Sequence, residues 1–147
     1  MNQVTRKVHF NAAHRLHNPD KSEEWNREQY GVCNHPNWHG HNYVIEVTVA
    51  GEPDSDTGFI IELGKLKEII RERVIKTCDH KNLNLDVPFL KGMIPTTENL
   101  AKAFFEELRE DVERHSADGA ILYSVHVHET DRNSAAYCPW LQLPTRL

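Results

Sequence analysis

In two segments, residues 4–14 and 41–50, apolar and polar side chains alternate, and histidines occupy positions in the apolar series. This pattern constrains the fold more than any other feature of the sequence. Side chains of an extended chain point alternately to its two faces, so a period of two predicts half-buried strands. The in-phase positions are Val4, Val8, Phe10, Ala12 and His14 in the first segment, and His41, Tyr43, Ile45, Val47 and Val49 in the second. If these strands share a sheet, their histidines lie on one apolar face.

The rest of the chain predicts two amphipathic helices. Apolar residues follow helical spacing from Leu63 through about Lys76. A second helix is expected to begin near Thr96 and Thr97, whose hydroxyls can cap free N–H groups, and to fray near His115. Its expected apolar face consists of Leu100, Phe104, Leu108 and Val112.

Further strands complete an α+β pattern. A short strand is expected at residues 59–63, after the turn-rich residues 51–58, and a last strand at 120–129. The last strand is expected to place Ile121, Tyr123, Val125, Val127 and Glu129 on one face. The order predicts an antiparallel sheet with helices on one side, whose open edges favour self-association. With no repeat or linker, we expect a single domain over residues 1–147.

Composition narrows the class of function. Over 147 residues, 39% are hydrophobic and 27% are charged, which excludes a disordered or collagen-like chain. A net charge of −5 provides no basic stripe, so we expect no nucleic-acid partner. The sequence lacks an apolar run of membrane-spanning length and an apolar secretion signal, so we expect a cytoplasmic protein with no membrane partner. The cysteines are odd in number and widely spaced, so we expect reduced thiols.

The motif His39-Gly40-His41 places two imidazoles on the same face of an extended backbone. With His14 beside them, three neutral imidazoles could converge on one ion and leave a fourth position open, as in catalytic zinc sites. A lone His-x-His pair is more often an ordinary surface pair, and we interpret His126 and His128 in that way. The first set differs because its members are in phase with apolar faces, where unpartnered imidazoles are costly.

Four other residues are candidate catalytic or binding residues, although each can also be interpreted as having no functional role. Cys33 lies in a polar loop that could fold back towards a metal, whose charge would favour the thiolate, but a loop cysteine is more often inert. Asp79 could orient His80 for proton transfer, or the two could simply form an exposed turn. Glu129, at the expected end of the last strand, could accept paired N–H donors from a pterin or guanine edge, or lie in solvent.

At these residues the chain resembles the 6-pyruvoyl-tetrahydropterin synthase family, from about residue 8 to residue 131. The segments that carry the resemblance are Phe10-Asn11-Ala12-Ala13-His14-Arg15-Leu16, Cys33-Asn34-His35-Pro36-Asn37-Trp38-His39-Gly40-His41-Asn42-Tyr43, Asp79-His80-Lys81-Asn82-Leu83, Pro95-Thr96-Thr97-Glu98-Asn99 and Glu129-Thr130. Five motifs in family order are far more specific than any one of them.

The resemblance implies a tunnelling fold, in which a four-stranded antiparallel sheet carries two helices on one face. It also implies that trimers close these sheets into a barrel and stack in pairs as a homohexamer, with active sites at subunit boundaries. The implied substrate is 7,8-dihydroneopterin triphosphate, which a lyase converts with release of triphosphate. The implied site residues are His14, His39 and His41 for zinc, Cys33, Asp79 and His80 for proton transfer, and Glu129, Thr96 and Thr97 for the pterin.

A sister branch of the family makes 6-carboxytetrahydropterin from the same substrate, on the route to queuosine-type deazapurines. Its members typically have three residues between the cysteine and the His-Gly-His motif, whereas this chain has five, as in the pyruvoyl branch. Departures from the family pattern are Trp38, Cys78 and a C-terminal tail at about residues 138–147. Two other hypotheses stay open: a hydrolase that uses histidine-bound zinc to activate water, and a non-catalytic pterin-binding protein.

Overall fold

The computed structural model describes residues 1–141, which form one mixed sheet with helices packed on it. The strands are β1 (Asn2–His14), β2 (His39–Gly51), β3 (Lys81–Asn82), β4 (Ile121–His128) and β5 (Ser134–Tyr137). The helices are α1 (Glu23–Tyr30), α2 (Leu63–Ile70), α3 (Lys76–Cys78) and α4 (Thr97–Arg114). Short 3-10 turns cover Gly31–Asn34 and Pro88–Leu90, and a π-helical segment, Arg71–Ile75, joins α2 to α3.

The sheet has the strand order β3-β1-β2-β4-β5. All pairs are antiparallel except β1 with β3, which is parallel. The predicted α+β class is confirmed, whereas the expectation of four antiparallel strands is wrong because two short strands were missed. The chain after α3 hydrogen-bonds to β1, which creates β3, and the chain after β4 turns back to pair as β5. Each of these strands is too short to show an alternating pattern.

The two predicted amphipathic helices lie against the apolar face of the sheet, where α2 contacts β1 and α4 contacts β4 and β5. The predicted apolar residues of α4 are all buried. Helix α4 begins as expected, because the Asn99 N–H donates to the hydroxyl oxygen of Thr96, and it ends at Arg114, with His115 as its C-cap. The helix predicted from Leu63 to about Lys76 extends to Cys78, through the π-helical segment.

The strand expected at residues 59–63 is absent, since these residues form an irregular segment followed by the start of α2. Ile60 and Ile61 are buried in the core without strand pairing, and the Ile60 carbonyl accepts a hydrogen bond from the Ala117 N–H. The Glu62 carboxylate accepts hydrogen bonds from the Gly64 and Lys65 N–H groups and so caps α2. Burial, rather than strand pairing, explains this apolar run.

The last strand begins and ends one residue inside the expected range, and its first half faces the other way. The β2–β4 register shifts between Thr48 and Val49, as in a β-bulge. A bulge adds one residue to one strand and so reverses the alternation of faces. As a result Leu122 is buried with Val125 and Val127, whereas the sequence pattern placed Ile121 and Tyr123 on that face.

The described part of the chain contains no helix long and apolar enough to span a membrane. All three cysteines are free thiols, as expected. The C-terminal tail expected at about 138–147 lies outside the described residues from position 142 onwards. In its described part, the Trp140 indole N–H donates to the Leu122 carbonyl, and the Arg109 guanidinium lies over the Trp140 ring.

Candidate metal centre and its surroundings

The β1–β2 ladder brings His14, His39 and His41 together at one end of the sheet. Its unbroken register runs from Asn2 opposite Gly51 to His14 opposite His39. The His14 ring centroid lies 4.5 Å from that of His39 and 5.0 Å from that of His41, and the latter two are 5.0 Å apart. One ring nitrogen from each lies within 4.8 Å of the others. The predicted convergence of three imidazoles is therefore present.

The surroundings of His14 fix which of its nitrogens carries a proton. The side chain is 1% exposed, and its Nδ1 lies 2.9 Å from the Pro95 carbonyl oxygen. A carbonyl can only accept, so Nδ1–H is the donor and Nε2 keeps a free lone pair. The Tyr43 hydroxyl oxygen lies 3.2 Å from the same Nδ1. Such a contact to the second nitrogen holds a metal-ligating imidazole in its tautomer and orientation.

Burial favours the neutral form of two imidazoles in this cluster, those of His14 and His39. It lowers the pKa of His14 to about 4, an effect that the Pro95 carbonyl opposes and that His39 and His41 reinforce. Burial also lowers the pKa of His39, with a further contribution from His41. Neutral imidazoles are the form that binds a metal ion.

The cluster contains buried nitrogens that the protein itself leaves without hydrogen-bond partners. Among the described residues these are His14 Nε2, both ring nitrogens of His39 and His41 Nε2. Buried polar atoms without partners cost free energy, and a bound cation would satisfy several of them together. Three neutral imidazoles with room for a fourth ligand fit a zinc ion of the catalytic type.

Glu129 lies beside this cluster rather than on a strand. It follows the last residue of β4, and its N–H donates to the Asn133 carbonyl in the turn to β5. Its Oε1 lies 3.4 Å from His14 Nε2 and 3.5 Å from His41 Nε2, without hydrogen-bond geometry. The side chain is 20% exposed, so the carboxylate is accessible to a ligand that reaches the imidazoles.

The loop that carries Cys33 folds back onto the end of β1. The Cys33 carbonyl accepts from the Leu16 N–H, the Asn34 side-chain amide donates to the Leu16 carbonyl, and the Arg15 guanidinium donates to the Asn34 carbonyl. Burial raises the pKa of Tyr43, and the charges of Glu129 and Cys33 add to this effect. The hydrogen bond to Leu16 places the Cys33 backbone against the residues that directly follow His14.

Asp79 and His80 form a contact that adjacent residues on an extended backbone would not make. His80 has a left-handed backbone with φ of 59°, and its Nδ1 lies 3.0 Å from Asp79 Oδ2. The Asn11 N–H donates to the Asp79 carboxylate and, with His80, lowers the pKa of that group. Asp79 is thereby fixed to β1, while the His80 side chain is 78% exposed.

The structure does not join Cys33 to this pair within one chain. In residues 1–141, no hydrogen bond or ion pair connects Cys33 with Asp79 or His80. His80 instead lines an open groove of about 450 Å³ together with His41. Of the predicted proton-transfer residues, Asp79 and His80 therefore contact each other, and Cys33 makes no hydrogen bond or ion pair with them in the described part of the chain.

The two threonines begin α4, directly after Pro95, whose carbonyl contacts His14. Thr96 therefore directly follows the residue whose carbonyl contacts His14. Sequence reasoning missed the role of the Pro95 carbonyl, because a backbone acceptor has no side-chain signature. Tyr43 could have been found, since it lies on the same strand and in the same phase as His41.

Comparison with known proteins identifies the family. Residues 3–139 match the family 6-pyruvoyl tetrahydropterin synthase. The chain is 42% identical to human 6-pyruvoyl tetrahydrobiopterin synthase, over 92% of this chain and 90% of the relative. It is 27% identical to the 6-carboxy-5,6,7,8-tetrahydropterin synthase of Bacillus subtilis, over 93% and 85% of the two chains.

A solved structure agrees with this result. The Caenorhabditis elegans 6-pyruvoyl tetrahydropterin synthase superimposes with a TM-score of 0.83 at 39% identity, covering 93% of this chain and 94% of that chain. A match over nearly the whole length, in sequence and in fold, leads to one conclusion: this chain belongs to the 6-pyruvoyl tetrahydropterin synthase family.

Proposed function

We propose that this chain, as a single domain, is a zinc-dependent lyase that converts 7,8-dihydroneopterin triphosphate to 6-pyruvoyl-tetrahydropterin with release of triphosphate. The observation that carries the proposal is the convergence of three imidazoles beside the Glu129 carboxylate. Identity favours the pyruvoyl product, since the chain is 42% identical to a pyruvoyl synthase and 27% identical to a carboxy synthase.

His14, His39 and His41 would hold the zinc ion through their ring nitrogens. Bound there, zinc supplies Lewis acidity, which polarises the hydroxyls of the substrate side chain and makes the neighbouring C–H bonds more acidic. The Pro95 carbonyl and the Tyr43 hydroxyl hold the His14 ring in place for this task.

The other site residues bind the substrate and move protons. The Cys33 thiolate takes a carbon-bound proton, and His80, oriented by Asp79, moves protons during tautomerisation. The electron pair released by deprotonation expels triphosphate by elimination. The side-chain carbons are oxidised as the ring is reduced, so no external nicotinamide is needed.

Glu129 anchors the pterin by accepting its two parallel N–H donors, as a carboxylate accepts from a guanidinium. Thr96 and Thr97, at the start of α4, help to bind it. The Thr96 oxygen accepts from the Asn99 N–H, which leaves its hydroxyl proton free to donate to a ligand.

We further propose that trimers of this chain close their sheets into a barrel and stack as a homohexamer. Within residues 1–141 Cys33 makes no hydrogen bond or ion pair with Asp79 or His80, and the His80 side chain is exposed. Both observations support this assembly, because a site at a subunit boundary can receive His80 from a neighbouring copy. The two edge strands of the sheet are also short: β3 has two residues and β5 has four. Unpaired edges of this kind favour pairing between copies.

Product analysis tests the activity. Tag-free, zinc-loaded protein is incubated with 7,8-dihydroneopterin triphosphate, and the products are separated and weighed by mass spectrometry. We expect triphosphate and a tetrahydropterin with a three-carbon pyruvoyl side chain. A one-carbon carboxyl side chain assigns the chain to the sister branch, and the absence of both products contradicts the lyase.

Matched variants separate the remaining hypotheses. Cys33→Ala should abolish turnover while zinc content is retained, and Glu129→Gln should weaken pterin binding with zinc also retained. Full activity of Cys33→Ala would favour a hydrolase that uses zinc-activated water. Tight pterin binding by the wild-type chain without any turnover would favour the non-catalytic pterin-binding protein.

A further inference from the structure

A second group of metal-ligating side chains lies on the opposite face of the sheet from the imidazole cluster. It consists of Glu46 on β2 with His126 and His128 on β4, and one ligand atom from each lies within 4.8 Å of the others. Glu46 alternates with the fully buried Ile45 and Val47, so its side chain points away from the helices. We refer to these three residues as the outer-face cluster.

The sheet itself fixes the relative positions of these residues. Glu46 is the direct cross-strand partner of His126, and His128 follows two residues later on the same face. Side chains directly opposite on antiparallel strands have Cβ atoms about 4.5–5.5 Å apart, and the diagonal neighbour is also within reach of a long side chain. The bulge at Thr48 and Val49 lies beyond this segment and leaves the register intact here.

The distances within the outer-face cluster are close to those of a coordination sphere. Glu46 Oε1 lies 3.5 Å from His128 Nε2, and Glu46 Oε2 lies 3.9 Å from His126 Nδ1. The two imidazole centroids are 4.1 Å apart. Zinc bonds of about 2.0–2.2 Å at tetrahedral angles place ligand atoms roughly 3.3–3.6 Å apart. Small rotations of the side chains would therefore bring all three onto one ion.

Two observations indicate that a cation could bind this cluster: one buried nitrogen lacks a hydrogen-bond partner, and the lysine that pairs with the carboxylate is exposed. His128 Nε2 is buried and makes no hydrogen bond within the described residues. The Glu46 carboxylate forms an ion pair with Lys7, whose Nζ lies 2.8 Å from Oε1, but this lysine side chain is 62% exposed. Exposed ion pairs are worth about 1 kcal/mol or less. Lys7 can therefore move aside at little cost when a cation binds the carboxylate.

We propose that Glu46, His126 and His128 form a second site for a divalent transition metal of the zinc type, independent of the three-histidine cluster. Two imidazoles and one carboxylate suit zinc and similar ions, whereas magnesium and calcium prefer oxygen ligands alone. The ligands come from two neighbouring strands, so the ion would link β2 to β4 and stabilise the folded chain by mass action. This site does not depend on the pterin chemistry proposed above.

Metal stoichiometry tests the proposal. Tag-free full-length protein is stripped with a chelator, dialysed against zinc, and its metal content is measured by elemental analysis. We expect two zinc ions per wild-type chain and one in His39→Ala/His41→Ala. Adding His126→Ala and His128→Ala to that background should remove the remaining ion. The matched control His115→Ala, at the end of α4, should keep both ions.

Cobalt supplies a readout that does not depend on activity. In the His39→Ala/His41→Ala background, Co²⁺ should give the intense visible absorption of tetrahedral coordination, and this band should be lost with Glu46→Gln. Lys7→Met should tighten binding about fivefold, because it frees the carboxylate from its exposed ion pair. Circular dichroism confirms that each variant is folded, and His126→Asn/His128→Asn replaces the alanine pair if that pair does not fold.

Three outcomes would overturn the proposal. The first is a folded His39→Ala/His41→Ala chain that binds no stoichiometric metal. The second is a remaining ion that persists when His126 and His128 are both replaced. The third is a cobalt band that is unchanged by Glu46→Gln. None of these results bears on the lyase activity, which the product analysis tests separately.

Discussion

At the scale of single residues, His14 combines burial, a backbone hydrogen bond and two neighbouring imidazoles. Its neutral form is favoured in the folded chain, where its pKa is lowered to about 4, whereas the ordinary value of 6.5 applies in the unfolded chain. Between these values the unfolded chain binds a proton that the folded chain does not. The free energy of unfolding of the metal-free protein must therefore fall as pH falls from 6.5 towards 4.

The first prediction concerns this pH dependence. We expect metal-free wild-type protein to lose about 3 kcal/mol of stability through His14 over that window. His14→Asn, which can still donate to the Pro95 carbonyl, should show a distinctly shallower dependence. Urea denaturation at a series of pH values measures it, with His115→Asn as an exposed control. Equal slopes for His14→Asn and wild type would contradict the prediction.

The second prediction concerns Cys78, one of the departures from the family pattern. It is fully buried, and burial raises the pKa of its thiol to about 12. Because the thiolate is the reactive form, Cys78 should be inert in the folded chain. A thiol reagent should label two cysteines per native chain and three in denaturant, as counted by mass spectrometry, and Cys78→Ala should retain the activity. Labelling of Cys78 in the native chain would contradict this.

At the scale of the elements, the start of α4 contributes both to the stability of the helix and to the surroundings of the imidazole cluster, because Thr96 caps the helix and Pro95 contacts His14. The Thr96 hydroxyl oxygen caps the helix by accepting from the Asn99 N–H. The third prediction is that Thr96→Ala destabilises the protein by about 1 kcal/mol, the usual cost of losing such a cap. Thr97→Ala, at the neighbouring helical position, should change stability much less. Thermal unfolding of both variants measures the difference, and equal losses would contradict the assignment of the cap.

The sequence was sufficient to predict the two long strands and the two amphipathic helices, since each has a clear period and most of its apolar residues are buried. Val4 and Val8 are only half-buried, and Leu63 is exposed. It was not sufficient for features set by contacts distant in the chain. The bulge that turns Leu122 inwards, the two-residue strand β3 and the carbonyl of Pro95 beside His14 have no local pattern. The apolar run at residues 59–63 was wrongly predicted to be a strand, because Ile60 and Ile61 are buried without strand pairing.

The same division applies to the candidate site. Period-two alternation placed three histidines on one face, and the sheet register then brought them together. The approach of Glu129 to the imidazoles depends on the turn after β4, which the sequence pattern extended as strand. The contact between Asp79 and His80 depends on a left-handed backbone at a non-glycine residue, which residue type does not predict.

At the scale of the whole molecule, the proposed assembly predicts how inactive variants complement one another. Cys33→Ala and His80→Ala should each be inactive. If a site takes Cys33 from one subunit and His80 from its neighbour, an equal mixture, unfolded and reassembled together, should regain about one quarter of the wild-type activity. Native mass spectrometry should show six copies of the 17.0 kDa chain. No recovery from correctly assembled hexamers would place both residues of each site in the same chain.

The unbroken β1–β2 ladder also has a consequence for how such proteins can diverge. The register aligns His14 with His39, while the loop between them carries Cys33 and adds nothing to that alignment. Residues can be inserted or removed between Asn34 and His39 without changing the pairing of His14 with His39, and each change alters the path of the loop between Cys33 and the His39-Gly40-His41 motif. If Cys33 is the proton-abstracting residue, as proposed, changes in the length of this loop would alter which proton is abstracted, and hence which product forms, while the three imidazoles stay in place.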